Sequence, residues 1–252
     1  LSRLRLDLMI LTIPNRADFI GKFLVPVSRI GNSAIFKLTQ KGASCLLAAA
    51  DNTVILYAKY DQEMDIEEEI SVNLPDLSRL TKILQCIDSD SIELSLQDNN
   101  IKYSSPSMRF TYHLLEDGII TSPSISVDKI KQITYDTSFT IPFSSLINLI
   151  KGSAFTVNIN KLYISTKDDN VYADIDDKQS YNVDNLSLKL CDTYTGLPID
   201  TPLPISFETI RTLAGARCDN IDVLVNKELN VMMFKINTDN IAMTYIVSGL
   251  VN

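Results

Sequence analysis

One stretch of the sequence indicates the fold most clearly: Ile70-Ser71-Val72-Asn73-Leu74-Pro75-Asp76-Leu77-Ser78-Arg79-Leu80-Thr81-Lys82-Ile83-Leu84. It begins as a short strand and passes into a helix at Pro75, since a proline is favoured in the first turn of a helix. Apolar residues then recur at helical spacing as far as Ile87, and the two strands of a hairpin follow. The stretch therefore predicts one strand–helix–hairpin unit.

The same unit recurs about every 65 residues, as in an internally repeated fold. The four copies open near Arg16 and at residues 70, 138 and 203, and their hairpins turn at 40–42, 98–100, 168–170 and 226–228. The alternating strands have one polar face, which predicts sheets that are covered on one side only. We therefore expect an α+β fold of two similar domains, each a doubled strand–helix–hairpin unit with its helices on one face of curved antiparallel sheets.

An irregular stretch at 116–124 interrupts the repeat near the middle of the chain. It contains Gly118 and Pro123 and shows no clear period, which is typical of a connector. We predict an N-terminal extension at 1–14, a first domain at 15–117, an interdomain connector at 118–134 and a second domain at 135–252. A second irregular stretch, 192–204, predicts a long loop within the second domain.

The composition argues against several classes of protein. No stretch approaches the ~18 apolar residues of a membrane span. The four cysteines form no C-x-x-C pair, so they predict no zinc site and indicate a reducing, cytoplasmic location. A single histidine, His113, cannot build a multi-histidine metal site, and no G-x-S-x-G motif supports a catalytic triad. We expect no catalysis, no metal and no cofactor.

Charge is distributed unevenly along the chain. The net charge of −8 alone argues against nucleic-acid binding. The predicted helices at 16–29, 75–87, 143–153 and 207–218 nevertheless each carry a net positive charge. If they share one side of a sheet, that side suits the phosphate backbone rather than base edges. Charged helix faces also serve solubility, so both interpretations stay open. The candidate backbone-binding residues are Arg16, Lys22, Arg29, Arg79, Lys82, Lys151, Arg211 and Arg217.

At this point the residues resemble a known family. The run 70–87 resembles the second helix of the DNA sliding clamps, and the hairpin at 92–103 is similar to the strands that follow it there. Two such domains joined by a mid-chain connector is the architecture of the trimeric clamps, and the resemblance covers roughly residues 15–252. The connector and the tail look most like the T4-type bacteriophage clamps. The sequence 243–252 lacks the Ala-Pro-Lys tail that is usual in cellular clamps.

The resemblance implies a homotrimer that closes head to tail around duplex DNA without sequence specificity. Such a processivity factor tethers the replicative DNA polymerase, needs an ATP-dependent clamp loader, binds no membrane and, if viral, acts in the host cell cytoplasm. The implied partner-binding pocket lies beneath the connector and beside the C-terminal strand, at Ile119, Ile120, Pro123, Tyr245, Ile246 and Val247. Ordinary core or strand packing is an equally good interpretation of each of these six residues.

The sequence also predicts two edge strands and leaves two other functions open. We predict that residues 108–114 and 186–190 form edge strands that pair between neighbouring protomers. A β-rich structural or assembly protein of a phage would share the acidity and the alternation but would not need positive helices. A carboxylate-based hydrolase would need two carboxylates with separated pKa values in one pocket, whereas the acidic residues here cluster in loops.

Overall fold

The computed structural model describes residues 9–97, 99–155, 160–175 and 185–250. The strands of the first half are β1 (Met9–Ile13), β2 (Ala34–Thr39), β3 (Gly42–Ala48), β4 (Val54–Asp61), β5 (Ile70–Leu74), β6 (Ile92–Gln97), β7 (Asn100–Ser104) and β8 (Arg109–His113). Those of the second half are β9 (Thr137–Pro142), β10 (Lys161–Lys167), β11 (Asn170–Ile175), β12 (Leu186–Cys191), β13 (Thr195–Gly196), β14 (Leu203–Ser206), β15 (Asn220–Asn226), β16 (Val231–Asn237) and β17 (Ile241–Ser248).

The helices follow the predicted repeat. They are α1 (Arg16–Asp18), a π-helix (Phe19–Leu24), α2 (Val25–Ile30), α3 (Leu77–Gln85), α4 (Val127–Lys131), α5 (Phe143–Gly152), a 3₁₀ turn (Ser153–Phe155) and α6 (Phe207–Leu213). Within the described ranges, no helix has the length and apolar character needed to cross a membrane.

Three antiparallel sheets form the body of the molecule. Their strand orders are β1-β6-β7-β8, β12-β11-β10-β14 and β13-β9-β15-β16-β17-β4-β3-β2-β5. The nine-stranded sheet crosses from the second half into the first where β17 pairs with β4 over seven residue pairs. The predicted α+β architecture of two similar halves is therefore confirmed, and the two halves share one continuous sheet.

The helices contact one another in a single row, α3–α2–α6–α5, that runs across both halves. They cover the face of the sheets to which Phe234 and Tyr245 point, and these residues lie in the main core. Successive strand residues point to opposite faces, so Met233 and Ile246 lie on the other side of the sheet. There they pack against Ile130 of the connector helix α4. The prediction that the helices share one face is confirmed for this row, while α4 lies on the opposite face.

The first helical segment contains Pro26, which has no backbone N–H to donate. The structure divides this segment, and the π-helix ends immediately before α2, where the Val25 N–H reaches back to the Ile20 carbonyl. The wider turn brings Phe19 and Phe23, both buried, to a ring separation of 5.5 Å. The predicted helix at 16–29 is therefore present, with its hydrogen bonding rearranged ahead of the proline.

The predicted bounds of two helices were wrong. The helix expected at 75–87 is Leu77–Gln85, because the Asp76 carboxylate accepts a hydrogen bond from the Arg79 N–H at 2.8 Å and so caps the helix, with Pro75 outside it. The helix expected at 207–218 ends at Leu213. There the Gly215 N–H bonds the Thr212 carbonyl in a tight turn, at 3.0 Å.

Other features of the chain can be compared directly with expectation. Residues 9–13, within the predicted N-terminal extension, form β1 and pair with β6. The stretch 192–204 is not wholly a loop, because β13 pairs with β9 inside it. The turn at 168–169 has the positive φ values of a tight hairpin turn. Asp98, part of another predicted turn, lies outside the described residues. The domain limits at 117 and 135 stay predictions.

Candidate nucleic-acid interface

Three of the eight candidate basic residues are exposed side chains without a hydrogen bond or ion pair to any described residue. These are Lys82 of α3, Lys151 of α5 and Arg217, which follows α6. Arg217 opens onto a polar groove of about 720 Å³ at the junction of the two halves, which Lys22 and Asp219 also line. These three residues are the cations of the helix row best placed to meet a phosphate.

Three other candidates have partners within their own neighbourhood. The Lys22 ammonium lies 3.0 Å from the Asp18 carboxylate, one helical turn away. The Arg211 guanidinium lies 3.0 Å from the Glu208 carboxylate and 4.9 Å from the centre of the Phe207 ring. Surface ion pairs of this kind contribute little to stability and exchange readily, so a phosphate can compete for these two cations. The third, Arg79, packs on an aromatic ring.

Arg79 stacks on the edge strand β8. Its guanidinium carbon lies 5.2 Å from the centre of the Tyr112 ring. The Tyr112 hydroxyl donates to the Asp76 carbonyl at 2.7 Å and accepts from the Asp76 N–H at 2.9 Å. Burial raises the pKa of Tyr112. Arg79 therefore belongs to a cluster that fixes β8 to the start of α3.

Arg16 and Arg29 hold carbonyl groups of the protein itself. Arg16 donates through Nε to the Ser89 carbonyl at 2.8 Å and through Nη1 to the Leu84 carbonyl at 3.3 Å. Arg29 donates to the Arg211 carbonyl at 3.0 Å, across the junction between the halves. A cation beside the last carbonyls of a helix is favourable. Both arginines thus have structural roles, which the sequence analysis missed.

The charge of one helix was also predicted wrongly. Within its observed bounds α6 carries one acid, Glu208, and one base, Arg211, so it is neutral, and Arg217 belongs to the following loop. The first helical segment, α3 and α5 keep the predicted positive balance. The row is therefore basic except at α6, where Glu208 and Arg211 balance each other.

A groove lies between the connector and the β3–β4 hairpin. It measures about 600 Å³, and one wall consists of residues 119–124. Ile119 is 64% exposed there. Ile120 and Pro123 line the same groove. The structure thus brings together three of the six residues predicted for the partner pocket.

The other three predicted pocket residues lie elsewhere. Tyr245 and Val247 are buried in the main core, at 0% and 1% exposure, because their positions on β17 face the helices. Ile246 faces the other way but is covered by α4. No residue of this trio lines the groove, so their assignment to an open pocket does not hold.

The opposite wall of the groove was missed in the sequence. It is formed by Ile35 of β2, Leu46 of β3 and the turn at 49–52. The signal was the half-polar pattern of β3, in which Leu46 alternates with buried residues and therefore points away from the main core. Only the sheet topology places that face beside the connector.

Comparison with known proteins gives matches only in structure. No protein-family model matches the sequence, and no curated protein sequence matches it. Proliferating Cellular Nuclear Antigen (PCNA) from Entamoeba histolytica superposes with a TM-score of 0.78 at 12% identity, over 96% of this chain and 99% of that one. This chain has the fold of the PCNA sliding clamps. A second clamp, A. fulgidus PCNA with the C-terminal region of FEN-1 bound, gives a TM-score of 0.78 at 11% identity, over 97% and 99% of the two chains.

A third clamp structure agrees. The PCNA2–PCNA3 complex from Sulfolobus tokodaii superposes with a TM-score of 0.74 at 10% identity, over 96% of this chain and 99% of that one. The clamp fold thus accounts for nearly the full chain, although only 10–12% of the aligned residues are identical.

Proposed function

We propose that this chain is a DNA sliding clamp, a ring that encloses duplex DNA and tethers a DNA polymerase to it. The observation that carries the proposal is the row of helices along one face of a two-domain sheet, with exposed Lys82 and Lys151 on it and exposed Arg217 in the loop after α6. In a closed ring this row would line the hole. Contacts from mobile lysine and arginine side chains to phosphates would permit sliding.

Ring closure would use two of the outermost sheet strands, β8 and β12. Within the described residues, β8 and β12 are the outermost strands of their sheets, as the sequence predicted. Unpaired edges of this kind are templates for another chain. A head-to-tail contact between two different edges closes into a ring when the rotation allows it. We propose a homotrimer on this basis.

The proposal extends to the partners of the clamp and to its source. A segment of a polymerase or another replication protein would occupy the groove beside Ile119 and Ile120, and an ATP-dependent loader would open the ring. A. fulgidus PCNA, which has the same fold, binds the C-terminal region of FEN-1, so a protein of this fold can hold a terminal segment of another protein. A relation to the T4-type phage clamps, a viral source and action in the host cytoplasm rest on the sequence resemblance alone.

A clamp acts by enclosure and needs no catalytic group. Among the carboxylates of the described residues, the one with a resolved shift is Asp51, whose pKa is lowered by hydrogen bonds from Thr53. A general acid would instead need a raised pKa. Among the same residues no cluster of three metal-ligating side chains is present. A purely structural assembly protein stays the second candidate, but it gives no reason for the cations of the helix row.

A threading experiment tests the proposal without a loader. The protein is mixed with linear duplex DNA that carries biotin at both ends, streptavidin is added to block the ends, and the complex is washed at about 0.5 M salt, where phosphate contacts alone are weak. A clamp is retained on blocked DNA, is lost from DNA with free ends, and is released by a restriction cut. Equal loss from blocked and free DNA would refute enclosure.

Charge variants test the face that contacts DNA. The variant Lys82→Glu/Lys151→Glu/Arg217→Glu should weaken low-salt binding and flatten the salt dependence by about 0.9 for each phosphate that is no longer neutralised. The matched control is Lys129→Glu/Lys131→Glu on α4, whose Ile130 packs on the opposite face of the sheet. An equal effect of both variants would contradict the placement of DNA against the helix row.

A further inference from the structure

The outer face of the nine-stranded sheet, on the side away from the helix row, carries a row of apolar side chains. This outer row crosses five strands in register, and its members are Ala48 of β3, Ile55 of β4, Ile246 of β17, Met233 of β16 and Leu224 of β15. Two residues away along the last three strands, the same face carries the polar residues Thr244, Lys235 and Asp222. An apolar row of this length on an outer face marks a contact site.

The outer row begins in the connector groove and continues beneath α4. Ala48 lines the groove, opposite the wall formed by 119–124. Ile246 and Met233, in the middle of the row, are 6% and 4% exposed because Ile130 of α4 packs on them. The open groove and the seat of α4 are therefore parts of one continuous apolar surface.

The helix α4 is held on the outer row by side-chain packing. Among the described residues, no hydrogen bond joins the stretch 118–133 to a strand of the sheets. Fixed points flank this stretch at Asp117 and Thr134, each of which accepts a hydrogen bond from a side-chain amide at 2.8 Å. Within 118–133, which the structure describes throughout, Ile130 is the one side chain closed off from water. The stretch is thus a tethered segment with a single buried anchor.

A single aliphatic anchor makes the contact of α4 with the sheet reversible. Burial of one isoleucine side chain favours a contact by roughly 10- to 100-fold. The state in which Ile130 has left its seat would then hold about 1–10% of the molecules, which is the size of a minor state that a ligand can select. An open form of α4 is therefore within reach of a binding partner.

The surface around this seat also contains an unused hydrogen-bonding group. Tyr135 packs against the cluster that Ile130 forms with the outer row. Its hydroxyl is closed off from water and has no hydrogen-bond partner among the described residues. A buried hydroxyl without a partner is unfavourable. A backbone carbonyl of an incoming segment would supply the acceptor that α4 does not supply.

We infer that α4 is a displaceable lid, and that a partner segment binds the outer row by replacing Ile130 with an aliphatic side chain of its own. The partner segment is a helical turn with one aliphatic anchor, because α4 itself presents that chemistry to the row. Its source in a replication protein rests on the proposed function of the connector groove. The lid lowers the affinity for such a segment roughly 10- to 100-fold, since only the open fraction can bind it.

Thiol labelling measures the opening of the lid. The background for this measurement replaces three cysteines by serine: Cys86, Cys191 and Cys218. In it, Ile246→Cys places a thiol beneath α4, while native Cys45 in the main core reports opening of the whole fold. Adding Ile130→Ser should raise the labelling rate at residue 246 by about tenfold or more and leave the rate at Cys45 unchanged.

The matched control is Val127→Ser in the same background. Val127 lies on α4 but is not one of the residues packed on the outer row, so its replacement should leave the labelling rate at residue 246 unchanged. No acceleration by Ile130→Ser, or the same acceleration by both variants, would overturn the role of Ile130 as the anchor of the lid.

A peptide supplied in solution tests the site beneath the lid. The probe is a fluorescent synthetic peptide of residues 122–133, and its matched control carries serine in place of Ile130. A short tether gives α4 an effective concentration of about 1 mM, so the parent peptide should bind the Ile130→Ser protein with a Kd of roughly 10–100 µM. By fluorescence anisotropy, the parent protein should bind this peptide at least tenfold more weakly, and the serine peptide should bind neither protein.

The outcomes separate the lid from the proposed clamp. Retention of the Ile130→Ser protein on end-blocked DNA should equal that of the parent, because α4 lies on the face opposite the helix row. Loss of retention in both proteins, with the labelling and peptide results as expected, would overturn the clamp and leave the lid in place. Equal binding of the peptide to both proteins, or to neither, would overturn the lid and leave the clamp intact.

Discussion

Arg29 and Gly215 form a contact across the junction between the two halves. Replacing Gly215 by alanine should destabilise the protein when residue 29 is arginine and stabilise it when residue 29 is alanine. A Cβ on residue 215 would lie 2.5 Å from Arg29 Nη1 and 2.6 Å from its Cζ, well inside contact distance. The guanidinium end would have to move, and it would then leave the Arg211 carbonyl to which it donates at 3.0 Å. Gly215→Ala should therefore break the arginine contact without a change to Arg29 itself.

The expected size follows from the groups involved. An exposed charged hydrogen bond at the end of a helix is worth about 1 kcal/mol, and Arg29→Ala should lose this amount. Gly215→Ala should destabilise the parent protein by a similar amount. In the Arg29→Ala background the guanidinium is absent, Gly215 has no positive φ, and the alanine should stabilise by about 0.4–1 kcal/mol through lower unfolded-state entropy.

A double-mutant cycle by urea unfolding measures this reversal. The matched control is Gly21→Ala, since a Cβ at residue 21 meets nothing within 4 Å, and its effect should not depend on Arg29. Additive free energies of unfolding for Gly215→Ala and Arg29→Ala would refute the contact. A large loss of low-salt DNA binding in Arg29→Ala, as large as in Lys82→Ala, would return Arg29 to the DNA-contacting set.

Three further outcomes are expected. Tyr112→Phe should lower the free energy of unfolding by about 1–3 kcal/mol, because both backbone groups of Asp76 lose a partner. The control is Tyr103→Phe on the neighbouring strand β7, which removes a hydroxyl that bridges no such pair of backbone groups. Equal effects of the two variants in urea unfolding would contradict this role of Tyr112. Burial raises the pKa of Cys45, so this thiol should resist a thiol reagent at pH 8 in the folded protein while exposed Cys86 reacts within minutes; comparable rates would contradict the core assignment. Burial raises the pKa of Cys218 from 9.0 to about 11, so the unfolded chain releases the thiol proton at lower pH than the folded protein does. The free energy of unfolding should therefore fall as pH rises from 9 to 11. Cys218→Ser should reduce that fall, and an identical pH profile of the variant would refute the burial of this thiol as its cause.

Local patterns predicted most of the fold. The periodicity of the run 70–84 and its repetition predicted the helices, the hairpins and the shared helix face, because these depend on neighbours within a few residues. The edge strands β8 and β12 were found in the same way. The predicted start of α3 was wrong because Pro75 and Asp76 both favour the start of a helix. The sequence alone does not show that Asp76 caps the helix and leaves Pro75 outside it.

The candidate site was harder to predict, because its details depend on distant contacts. Arg29 and the Arg211 carbonyl are 182 residues apart in sequence, so nothing local marks Arg29 as a structural residue. Alternation along β17 separates Tyr245 from Ile246, but both faces there are apolar, and the sequence does not say which face the helices cover. Lys82, Lys151 and Arg217 differ from the other candidates only in what the fold places around them.

The β17–β4 pairing also means that the connector is not what holds the two halves together. Seven residue pairs of a continuous sheet cross the junction, whereas the mostly exposed segment at 119–124 lies beside β2 and β3. A single proteolytic cut in that segment would therefore leave the halves associated under native conditions. After the cut, the midpoint of unfolding would depend on protein concentration, because the two halves would no longer be covalently tethered.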